Sequence, residues 1–115
     1  DCSAVRVPLP SESIPHAWYK FYAFVKPEAL AEGWSRDRIL HEIAALGYPS
    51  FSGTCGEVYL EKCFQNAGLA PVERLPVAKE LGETSMMFLV HPTISCEQME
   101  AYAQAVRRVI LRAGV

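Results

Sequence analysis

The chain has 115 residues, 50% of them hydrophobic and 21% charged, and eleven Lys plus Arg against thirteen Asp plus Glu give a formal charge of −2. That is one domain's length. The composition is globular rather than disordered, and there is no basic excess to neutralise a nucleic-acid backbone. No apolar run approaches the ~20 residues that span a bilayer. The opening DCSAVRVPLP lacks the charged and apolar regions of a signal peptide.

Four cysteines, Cys2, Cys55, Cys63 and Cys96, include no Cys-x-x-Cys pair. A chain of this size needs no bridges, so the expectation is reduced thiols in a cytoplasmic protein. His16, His41 and His91 are scattered, and no four-ligand zinc spacing occurs.

Residues 1–15 carry Pro8, Pro10 and Pro15 among three serines. Proline removes a donor and extends its predecessor, so this reads as an extended arm or linker before a domain at 16–115. The chain opens without Met, which suggests an excised domain. Residues 17–25, AWYKFYAFV, suit a strand buried on both faces. Pro27 opens a short helical turn ending at Gly33. Ser35 then caps a helix with Asp37 in its first turn, Ile39, Leu40, Ile43 and Leu46 on one face, and Gly47 after it.

Residues 48–56 form a loop, with room for a brief strand. A second amphipathic helix is expected over about 57–67, with Leu60, Cys63, Phe64 and Ala67 as its stripe. Pro76 opens a short helix that Gly82 ends. MMFLV at 86–90 reads as a second buried strand. The last helix starts at the capping-box pair Ser95 and Gln98. Met99, Tyr102, Ala103, Val106, Val109 and Ile110 form its stripe, and Gly114 closes it. The order predicts an α+β two-layer sandwich: a small, mainly antiparallel sheet of two or three strands, with helices on one face. Strand 17–25 should pair with 86–90, and helices 36–46 and 96–112 should bury Ile39, Ile43, Tyr102, Val106 and Ile110.

No complete catalytic set is present. There is no Gly-x-Ser-x-Gly elbow, and the glycines at 51–56 precede no Lys-Ser/Thr. Cys55 has no evident imidazole partner. Glu57 and Glu61, four apart, read as a solvated helix edge rather than an acid–base pair. The polar loop 51–55, directly before an expected helix N-terminus, reads first as a packing loop and second as a ligand wall that favours anions.

Taken together, these segments resemble a known family. HAWYKFYAFV is similar to the strand that opens the small C-terminal domain of DegT/StrS-type sugar-nucleotide aminotransferases. SRDRILHEIAALG is similar to that family's next helix, where Arg-Asp leads an apolar pattern into a glycine. YPSFSGTCGEVYLEKCF lies where the family has its substrate-facing loop. RLPVAKELGETSMMFLVHPTIS resembles the stretch leading to its terminal helix. The likeness runs over about residues 15–113.

The resemblance implies a domain of a pyridoxal 5'-phosphate enzyme that moves an amino group, usually from glutamate, to a keto-sugar nucleotide. Its products enter lipopolysaccharide or antibiotic pathways, and it acts as a homodimer. The cofactor would be held by a large domain absent from this chain, which alone should be inactive. The resemblance also admits a sugar dehydratase of the same family, and the residues alone admit a freestanding binding module. The substrate loop departs from the family: residues 53–58 lack its usual histidines, Val90 replaces a proline, and Tyr19-Lys20 replaces a common His-apolar pair. Tyr19, Ser52, Thr54, Glu57 and Tyr59 are the expected substrate contacts.

Overall fold

The computed structural model describes residues 3–115. Four strands, β1 (Val5–Arg6), β2 (Lys20–Val25), β3 (Ser50–Phe51) and β4 (Ser85–Leu89), form one sheet in the order β1-β2-β4-β3. Every pairing is antiparallel. The helices are α1 (Arg36–Ala45), α2 (Lys62–Asn66), α3 (Pro76–Thr84) and α4 (Cys96–Ala113). The fold is α+β, with a small antiparallel sheet and helices packed against it.

The central β2–β4 register sets Phe21 opposite Phe88 and Ala23 opposite Met86. Strand side chains alternate between faces, so these residues share one face. They join Ile39 and Ile43 of α1 and Tyr102, Val109 and Ile110 of α4 in a single core. Ser35 Oγ accepts from the Arg38 N–H at 3.2 Å, and Gly47 beyond the helix end takes φ +88. The Ser95–Gln98 capping box opens α4 with reciprocal bonds of 3.2 and 2.9 Å. Its far end is tied down by the Ala31 N–H donating to Ala113 O at 2.8 Å.

The sheet has four strands, not two or three, because the segment read as an arm supplies β1 and the 48–56 loop supplies β3. β2 starts at Lys20 rather than residue 17. Trp18 has φ +45, and its N–H donates to His16 Nδ1 at 3.0 Å, so a local turn replaces the strand start. β2 is also only half-buried over most of its length. On α4 the core line is Tyr102, Ala105, Val109, Ile110 and Ala113; Val106 is half-buried and Ala103 exposed.

The expected helix over 57–67 is a correction. It is a 3-10 turn (Val58–Leu60), an extended Glu61 and the single-turn α2, with no buried residue in either helical piece. The apolar stripe has no facing element, and a helix this short gains little without one. Gly82 does not end α3, which runs on to Thr84. Cys2 lies outside the described residues; Cys55, Cys63 and Cys96 are free and exposed.

Candidate functional site

The loop after β3 is fastened to the last turn of α3. Gly53 takes φ +101, and a Cβ there would lie 3.0 Å from the Tyr22 ring. Side chains rarely adopt that backbone, and the ring leaves no room. Ser85 Oγ donates to Ser52 O at 2.5 Å. A Cβ on Gly56 would stand 2.8 Å from the Gly82 Cα, so loop and helix meet backbone to backbone. Thr54, Gly56, Tyr22, Phe24, Ala78 and Leu81 line the resulting cleft of about 520 Å³, on the sheet face opposite the main core.

The end of this loop is held by charge. Arg74 Nε donates to Glu57 Oε1 at 2.9 Å while its Nη2 donates to Oε2, a bidentate pair. The same Nη2 donates to Glu83 of α3 at 3.0 Å. Tyr59 OH donates to Glu57 Oε1 at 2.5 Å and accepts from the Leu75 N–H at 3.0 Å. The Glu57 side chain is only 9% exposed. The hydrogen bonds from Arg74, then Tyr59, hold its pKa down from 4.5 to about 2. Burial, and then its bond to Glu57, push the Tyr59 phenol up. Glu57 is therefore a fixed carboxylate at neutral pH, unable to act as a general acid. It does not share a helix edge with Glu61, which lies beyond the 3-10 turn and takes the Cys55 Sγ contact at 3.5 Å. The short α2 offers no helix N-terminus behind the loop, and the loop packs on α3, as its first reading predicts, rather than walling an anion site.

The five sequence-derived contacts thus separate. Glu57 and Tyr59 touch each other. Ser52 and Thr54 are exposed on either side of Gly53. Tyr19 is 83% exposed, with Lys20 Nζ 5.2 Å from its ring centroid. Tyr22, Arg74, Gly82 and Ser85 were missed. The glycines at 53 and 56 were the readable signal for close backbone approach, but their partners, Tyr22 and Gly82, lie far off in sequence and carry no local mark.

A second cavity, of about 620 Å³, lies between α4 and strands β1, β2 and β4. Trp18, Phe21, Val5, Met99, Val106 and Ile110 line it, with Arg107 also on its wall. It holds none of the five residues and lacks the convergent polar groups that fix a small ligand.

The residues of this chain do not fit a pyridoxal phosphate site. A Schiff-base lysine needs a desolvated position, yet Lys26, Lys62 and Lys79 are exposed and Lys20 is half-buried beside the Tyr19 ring. Glu57, the carboxylate that could face a ring nitrogen, is already bound by Arg74.

No family profile matches the chain, and no curated protein does. Solved structures do. The chain is 50% identical to the aminotransferase from Psychrobacter cryohalolentis over 96% of its own length, with a TM-score of 0.88. The fold is that of an aminotransferase small domain. A DegT DnrJ EryC1 StrS aminotransferase from Brucella abortus gives a TM-score of 0.69 at 21% identity over 91% of the chain. The aminotransferase TlmJ from Streptoalloteichus hindustanus gives 0.74 at 15% over 96%. The chain spans 29%, 26% and 27% of these three proteins. Among the described residues, no helix of this small domain is long and apolar enough to cross a membrane.

Proposed function

We propose that the chain is the C-terminal small domain of a longer, pyridoxal-phosphate-dependent enzyme that transfers an amino group from glutamate to a keto-sugar nucleotide. The observation that carries this reading is the 50% identity to the Psychrobacter aminotransferase over nearly the whole chain. The cofactor would be bound by the remainder of the enzyme, a cytoplasmic homodimer in polysaccharide or secondary-metabolite synthesis. This domain, expected over 16–115 and including β1 from the arm, would close over the substrate. The Ser52 and Thr54 hydroxyls would hydrogen-bond it directly, Tyr19 would reach it from the strand start, and Glu57 and Tyr59, paired with each other and with Arg74, would contact it at the base of the loop by their outer surfaces. The cleft beside Tyr22 and Phe24 offers apolar and aromatic surface next to these polar groups, the mixture that suits a sugar nucleotide.

The test uses the protein encoded by the whole reading frame. It should bind pyridoxal phosphate, change the bound cofactor's spectrum on adding glutamate, and then aminate a keto-sugar nucleotide. The 115-residue chain alone should do none of these. A reading frame with no cofactor-binding region, or turnover by the short chain, would overturn the proposal. Loss of water from the sugar without amine transfer would assign the dehydratase reading instead.

A further inference from the structure

Arg36 occupies the first position of α1, where the helix's positive end disfavours a cation. Its side chain is only 17% exposed and turns away from that end. Nη1 donates to the carbonyls of Ser85 at 2.9 Å and Gly82 at 3.3 Å, and Nε donates to Asp37 Oδ1 at 2.5 Å. The guanidinium therefore sits at the negative end of α3, whose last turn has no basic residue of its own. Both residues it holds support the loop: Gly82 is the surface for Gly56, and Ser85 holds Ser52. The Arg-Asp pair that marks α1 in the sequence thus acts on the opposite side of the fold, 46 to 49 positions along the chain.

We propose that Arg36 is a positioning residue for the 52–57 loop, acting through the last turn of α3. Its consequence for substrate rests on the reading of that loop given above. The planar fork is needed because one group must donate in fixed directions to two carbonyls and a carboxylate, which a single ammonium cannot reproduce. With the fork removed, two carbonyls lose their donor and the turn beneath the loop loosens.

The test compares wild type, Arg36→Lys, Arg36→Met and Ser85→Ala in the full-length protein, by amide exchange with peptide resolution and by steady-state kinetics. Exchange across 52–57 should rise about tenfold or more in Arg36→Met and Ser85→Ala, and less in Arg36→Lys, while α4 stays within about twofold. KM for the amino acceptor should rise about tenfold with kcat nearly unchanged, the signature of lost substrate placement. If Arg36→Met loosens α4 as much as the loop, Arg36→Lys and Ser85→Ala decide. Wild-type loop exchange in those two variants, or a fall in kcat with KM unchanged, would overturn the proposal. Loop loosening in a protein that shows no amine transfer in wild type would sink the aminotransferase reading and leave the clamp standing.

Discussion

Glu57 links the candidate loop to acid. Its pKa is about 2 in the fold against an ordinary value of 4.5, so its contribution to stability is complete above pH 4.5. That contribution falls as pH drops through 4.5 towards 2, where the carboxylate must take a proton while still paired. Replacing Glu57 with Gln should lower stability at pH 7, and the gap to wild type should close across that window. Denaturant melts at pH 7, 4 and 2 check this, and a gap that persists at pH 2 would show that packing rather than charge holds the loop. The pairing with Arg74, seventeen positions on, was not legible in sequence because Arg74 stands in an aperiodic loop and Glu57 at the start of a stripe that reads as a helix. What could be read was the composition of the loop, small and glycine-containing, which is what a backbone-to-backbone contact requires.

Helices with caps and a facing sheet were readable; the one without a partner was not. α1 and α4 each show a side-chain cap, a stripe and a stop, and the structure places them accordingly. The 57–67 segment shows a comparable stripe with neither a cap nor a surface to bury it against, and tertiary context decides such cases. The phase of α4 was legible only to within one position. Val109 is 1% exposed and sits at the centre of the core, while Val106 faces the cavity beside it. Val109→Ala should cost about 2–3 kcal/mol from lost burial and the void left behind. Val106→Ala should cost about 1 kcal/mol or less, since its surroundings are already open. Chemical denaturation of the two variants distinguishes them, and equal losses would show that the cavity is closed in solution.

At the scale of the whole chain, the radius of gyration is 16.1 Å, against about 13 Å for a compact domain of this length. The excess matches segments that pack on little: Val58, Leu69, Val72 and Leu75 are all exposed, as are Leu9 and Ile14 between β1 and β2. Together with the open cavity along α4, they leave a series of large apolar side chains in water, and apolar surface that adjoins in this way favours association. The isolated 115-residue chain should therefore self-associate at micromolar concentration, which sedimentation velocity would detect. A single monomeric species across that range would instead favour a freestanding module.

Trp18 turns that cavity into something that can be watched by light. Its indole packs against Phe21, with ring centroids 5.0 Å apart, and it forms part of the cavity wall. The chain's other tryptophan, Trp34, lies beneath the Arg38 guanidinium at 4.3 Å on a different part of the surface. With Trp34 replaced by Phe, this chain's tryptophan fluorescence would come from the cavity alone. Any body that covers α4 on that side, whether a second copy or the rest of a longer enzyme, should exclude water from the indole and shift its emission to shorter wavelength.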